Sequence, residues 1–285
     1  MDIAGKIALV TGGASGIGKA MVEIMLQKQA KGVFIVDIDG DAMKQTQDNF
    51  HKEYGVEKVH VCKCNVTSYE QMEECFKRVV ATYGALHIVC NNVGILNEVE
   101  WERMVQINLN GVIIGTKLAV QHMEGENCGG GVIINTSSRA ALSLVPYMPV
   151  MTSKLAIVGY TREVATFDPI VVRKKIRVNA ICTSTVVNTN LLSNIKLENE
   201  TYQQIFQPLL DSFVENVFRP QDFAEHFVKL IEEPHHGGVV HVEKDKFEMT
   251  TDDTKLFRQR TGLEDTYTKL RDTAVLSLSS PNAKQ

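Results

Sequence analysis

A glycine-rich turn follows the first apolar run of this chain. Residues 7–10, Ile-Ala-Leu-Val, read as a buried strand, and Thr11-Gly12-Gly13-Ala14-Ser15-Gly16-Ile17-Gly18 comes directly after it. Helical spacing then runs to Lys28. Such a turn calls for glycine on steric grounds. One glycine permits the tight reversal, another lets bare backbone approach a pyrophosphate, and a third lets helix and strand pack closely. The opening helix offers unpaired N–H groups and a positive dipole end to the phosphate. Gly12, Ser15, Gly16, Ile17 and Gly18 are therefore candidate ligand contacts.

The second strand, 33–36, ends in Asp37, nineteen residues beyond Gly18. A carboxylate there can accept hydrogen bonds from adenosine ribose hydroxyls and repels a 2′-phosphate, which predicts NAD rather than NADP. Further strands are expected at 59–64, 87–90, 131–135, 176–181 and 238–242. Helices are expected over about 40–53, 68–82, 98–122, 151–168 and 221–232, with a loop and helical segment across 183–216. This alternation predicts an α/β fold: a single doubly wound, Rossmann-type domain with an about seven-stranded parallel sheet and helices on both faces. With 285 residues, 44% of them hydrophobic, the chain can bury such a core. The domain is expected over 1–250, and 251–285 as a C-terminal extension, partly helical and then flexible.

Other classes find little support. The net charge of −4 gives no electrostatic case for nucleic acid. No run of about 18 apolar residues suggests a membrane span, and no secretory leader pattern opens the chain. The six cysteines match no zinc spacing. Cys62 and Cys64, at strand period two, read as small core residues on one face. A reducing, cytoplasmic setting is the expectation.

Several motifs, in order, resemble the short-chain dehydrogenase/reductase family over residues 5 to about 245. Beyond the glycine turn these are Asn91-Asn92-Val93-Gly94, Asn108 in Ile107-Asn108-Leu109, Asn135-Thr136-Ser137-Ser138, Lys154 and Val178-Asn179-Ala180-Ile181-Cys182. The resemblance implies secondary-alcohol oxidoreductase ancestry with NAD as cofactor. It implies cofactor contacts at Asn65, Val66, Asn92, Lys154 and Thr189, besides the glycine turn and Asp37. It also implies that Ser138 orients a substrate oxygen, that Asn108 supports a water relay, and that the helices near 98–122 and 151–168 form a homodimer or homotetramer.

One family position departs from this pattern. The family's acid/base is a tyrosine four residues before the lysine, whose ammonium lowers a phenol pKa that is otherwise near 10. Here Val150 stands four before Lys154, and the family's interval from Ser138 lands on Met151. Neither side chain carries a proton. Tyr147 is the candidate substitute, but seven residues of helix separate it from Lys154 by about 10 Å along the axis. The family's Pro-Gly after the sixth strand is here Thr183-Ser184, and Val93 replaces an alanine. Impaired or lost catalysis is thus expected, with an active enzyme using Tyr147 as the alternative. Leu191, Leu192, Ile195, Tyr202, Ile205 and Phe206 suit a hydrophobic small molecule, or equally a core or an interface.

Overall fold

The computed structural model describes residues 1–124, 129–142, 148–184, 186 and 219–250. Its strands are β1 (Ile7–Thr11), β2 (Gly32–Asp37), β3 (Val59–Lys63), β4 (Ile88–Asn91), β5 (Val132–Ser138), β6 (Arg177–Thr183), β7 (Val239–Glu243) and β8 (Lys246–Met249). They form one sheet in the order β3-β2-β1-β4-β5-β6-β7-β8. The first seven strands pair in parallel, as the alternation predicts. The eighth is an addition, pairing antiparallel to β7. It escapes a search for buried apolar runs because Lys246, Glu248 and Met249 are exposed, as suits a charged edge strand.

The pleat explains why the central strands read as unbroken apolar runs. Ala8 and Val10 point to one side of the sheet. There they pack with Met21 and Met25 of α1 (Gly16–Gln27), Phe50 of α2 (Gly40–Tyr54), and Phe223 and Phe227 of α8 (Pro220–Glu232). Ile7 and Leu9 point to the other side. They meet Phe76 of α3 (Tyr69–Tyr83) and Leu118 of α5 (Gly111–Met123). On that second side Val158 of α6 (Met148–Phe167) covers Ala180, Cys182 and Val239. The short α7 (Pro169–Arg173) leads into β6.

Two helices differ from their sequence expectations. The stretch 98–122 is not continuous: α4 (Trp101–Val105) passes into a π-helical turn, Gln106–Asn110, before α5. The turn accompanies the burial of Asn108, which accepts from the Ile95 N–H (2.8 Å) and donates to the Ile95 carbonyl (2.9 Å). The other helix, α6, starts earlier than expected, with Pro149 in its first turn, where a missing N–H costs nothing.

Cys62 and Cys64 are both buried on one face, as expected. Cys62 also forms a disulfide with Cys75 of α3, their Cα atoms 6.0 Å apart. That cross-link was not among the sequence expectations, which placed the chain in a reducing setting. Among the described residues no helix is long and apolar enough to cross a membrane, and no His, Cys, Asp and Glu cluster could hold a metal. Tyr147, Thr189, the apolar residues of 191–206 and the extension 251–285 lie outside the described residues.

Candidate cofactor cleft and catalytic positions

Strand order reverses direction on either side of β1 and β4. In doubly wound sheets the crevice at the carboxyl ends of such strands is where ligands bind. The glycine turn leaves β1 there, and residues 92–94 leave β4 beside it.

The glycines are needed where they stand. Gly12 has φ +68° and Gly16 φ +53°. A Cβ on Gly12 would meet Asn92 Nδ2 and Val93 Cγ2 at 3.2 Å, and one on Gly18 would run into the Gly12 carbonyl oxygen. Thr11, which the sequence reading did not single out, ties the two loops together. Its hydroxyl accepts from the N–H groups of Asn92 (2.9 Å) and Val93 (3.3 Å), and its carbonyl accepts from Asn92 Nδ2 (3.2 Å). The start of α1 is left uncompensated: Ser15 makes no side-chain capping bond, and the first turn has no acidic residue.

Asp37 is aimed by backbone. Its Oδ1 accepts from the Ile38 N–H (2.8 Å) and the Asp39 N–H (3.2 Å), and its Oδ2 from the Ala14 N–H of the glycine turn (3.2 Å). A carboxylate has about four lone-pair sites, so about one remains for a ribose hydroxyl. Asn65 is exposed, and its Oδ1 accepts from the N–H (3.1 Å) and hydroxyl (2.9 Å) of Thr67, so only its amide nitrogen is left to meet a base. Val66 is buried against Gly111, where a Cβ would meet its Cγ2 at 3.0 Å. The bare backbone cradle, the open helix start and the poised carboxylate together fit a dinucleotide such as NAD.

At the other end of the cleft, Lys154 projects from α6. Its Nζ donates to the Thr136 carbonyl (3.1 Å), and its own carbonyl accepts from Ser137 Oγ (2.8 Å). The residue keeps partial exposure while its ammonium is enclosed, and burial pushes the pKa down to about 8. Gly94 lies against it: a Cβ there would stand 3.3 Å from Lys154 Nζ and 3.5 Å from Asn108 Oδ1. The structure therefore gathers Lys154, Asn108 and the residue 92–94 loop. Ser138, at the end of β5, uses its Oγ to accept the Ala140 N–H (3.1 Å) and cap a 3-10 turn, Arg139–Ala141. Val150 lies one helical turn before Lys154 and is buried, with its carbonyl accepting from Ser153 Oγ (2.8 Å).

Beneath the site runs a buried polar chain that the sequence reading missed. Asn91 Nδ2 donates to Thr116 Oγ1 (3.1 Å) and Asn135 Oδ1 (2.9 Å), and Asn135 Nδ2 donates to Thr161 Oγ1 (3.1 Å). It joins β4, α5, β5 and α6, the elements that carry the loop 92–94, the π turn, Ser138 and Lys154. Asn91 Oδ1 is left without a partner among the described residues, so the chain is satisfied only in part.

A family model described as short chain dehydrogenase matches residues 6–200. The chain belongs to that family. Among its relatives, 15-hydroxyprostaglandin dehydrogenase of Homo sapiens, whose name specifies NAD(+), is 37% identical over 245 residues, 84% of this chain and 91% of that protein. A 3beta-hydroxysteroid dehydrogenase of Eggerthella lenta is 37% identical over 190 residues, 63% of this chain and 70% of its own. A crystal structure of a short-chain type dehydrogenase/reductase from Mycobacterium marinum superposes with a TM-score of 0.71 at 22% identity, over 85% of this chain and 96% of that one.

Proposed function

We propose that this chain binds NAD in the crevice between β1 and β4, and that its alcohol-oxidoreductase step is impaired or lost. The observation that carries the second half is the placement of Val150, apolar and buried, one turn before Lys154. Bound NAD supplies or accepts the hydride in this family's chemistry. The chain's own residues would do the rest. Gly12, Gly18 and the start of α1 take the pyrophosphate. Asp37 takes an adenosine ribose hydroxyl, while Asn92 and Lys154 lie toward the nicotinamide ribose. Ser138 can orient a substrate oxygen, but neither Val150 nor Met151 can exchange a proton with it. Losing a positioned acid/base costs about 10²–10⁴-fold in rate. Asp37 and the NAD(+) named for the human relative both favour NAD over NADP. A hydrophobic secondary alcohol or ketone is the substrate class of this ancestry, and a homodimer or homotetramer in the cytoplasm the setting.

The reading is tested by NADH fluorescence on binding, followed by turnover on a panel of secondary alcohols. Expected are tighter binding of NADH than of NADPH and turnover at least about 10²-fold below that of a tyrosine-bearing member. Fast wild-type turnover, abolished by Tyr147→Phe, would establish an active enzyme with a substitute donor instead.

A further inference from the structure

We propose that Lys154 is a nucleophilic amine that captures small aldehydes as imines. This goes beyond the cofactor reading and needs only that the cleft be free. The Ser137 hydroxyl holds the Lys154 backbone, and Nζ spends one hydrogen on the Thr136 carbonyl (3.1 Å). Among the described residues, Nζ makes no other hydrogen bond and no ion pair, so two of its three donor hydrogens are uncommitted. The place one turn earlier holds Val150, which offers neither charge nor proton. Gly94 lies against Nζ, and a Cβ there would crowd it at 3.3 Å. The neighbouring charge centre is the Cys182 thiol, which burial pushes up to about 11 and so keeps neutral near pH 7. An enclosed ammonium without a counter-anion loses its proton more readily than an exposed one, in keeping with a Lys154 pKa of about 8. Lys77 is the contrast: exposed and 2.9 Å from Glu73, it is held above the usual lysine value.

The chemistry balances without a redox partner. The lone pair of neutral Nζ attacks the aldehyde carbon, forming an N–C bond, and the carbonyl π pair moves to oxygen. That oxygen gains the proton that nitrogen gives up. In the resulting carbinolamine the nitrogen lone pair then forms the C=N bond as the C–O bond breaks, and the hydroxyl leaves as water with the remaining N–H proton.

The test uses the full-length wild-type protein with butyraldehyde and sodium cyanoborohydride, which reduces each imine to a stable secondary amine. Peptide mass mapping follows butylation at each lysine over time at pH 7. The expected result is initial labelling of Lys154 at least about tenfold faster than of Lys77, since each unit of pKa is a factor of ten in neutral amine. Val150→Tyr, which sets a phenol beside Nζ, should slow Lys154 alone. Labelling of Lys154 no faster than of Lys77 overturns the proposal. NADH affinity is measured separately by fluorescence. Capture without NADH binding leaves this proposal standing and removes the cofactor reading, and NADH binding without capture does the reverse.

Discussion

Asp37 is positioned before any ligand arrives, because three backbone N–H groups hold its carboxylate and one of them belongs to the glycine turn. Preorganisation of that kind favours affinity by removing an ordering cost. Asp37→Ala should weaken NADH binding about tenfold, or about 1.4 kcal/mol, and narrow the preference for NADH over NADPH, both read by fluorescence titration. Unchanged affinity and preference would remove Asp37 from the site. At this scale the glycine turn and Asp37 were legible in the sequence, because each need is local: a positive φ, a close approach, a carboxylate at a strand end. The surroundings of Lys154 were not legible. Its acceptor is a backbone carbonyl on β5, its electrostatic neighbour is a thiol on β6, and neither carries a sequence signature.

Elements are joined by side chains whose targets are backbone carbonyls. Arg177, at the start of β6, donates to the Leu230 carbonyl (3.2 Å), the His235 carbonyl (3.4 Å) and the carbonyls of Ile231 and Glu233. It thereby satisfies the carbonyls that a helix leaves open at its C-terminus, here those of α8. Arg177→Ala should destabilise the protein by about 2–3 kcal/mol, the range for hydrogen bonds to a charged group. A urea titration should show this as a lower midpoint at unchanged slope. A loss below about 0.5 kcal/mol would mean that water takes over the caps. The expected long helix fails for a related reason. The apolar spacing through Ile107, Leu109, Val112 and Ile113 is compatible with one continuous helix. Only the paired bonds of Asn108 to Ile95, thirteen residues earlier, mark where the π turn falls.

Across the molecule, two histidines work as neutral acceptors at Nδ1. His87 Nδ1 accepts from the Ile7 N–H (3.2 Å). His236 Nδ1 accepts from the Val178 N–H (3.3 Å), which leaves its Nε2 to donate to the Ala165 carbonyl (2.9 Å). Desolvation, with nearby cationic side chains, holds both pKa values below the ordinary one. The unfolded chain therefore takes up protons near pH 6.5 while the folded chain does not, so stability is fully present above that pH and is lost as pH falls through and below it. The thermal midpoint should drop between pH 7.5 and 5.5, and His236→Gln should flatten that dependence. A midpoint flat across this window would contradict the assignment. The parallel sheet follows from strand and helix alternation. The eighth strand does not, since an exposed edge carries no buried run to detect.

The glycine turn and Asp37 stand as a cofactor cradle requires, while the position one turn before Lys154 is apolar. Restoring the phenol separates binding from chemistry: turnover of a secondary alcohol with NAD is compared between wild type and Val150→Tyr, with NADH affinity measured on both. Expected are comparable NADH binding and a turnover gain of about 10²–10⁴-fold in the variant, the worth of a positioned acid/base. Wild-type turnover that is already fast, and is unchanged or lowered by Val150→Tyr while NADH still binds, would show that Val150 does not limit the reaction.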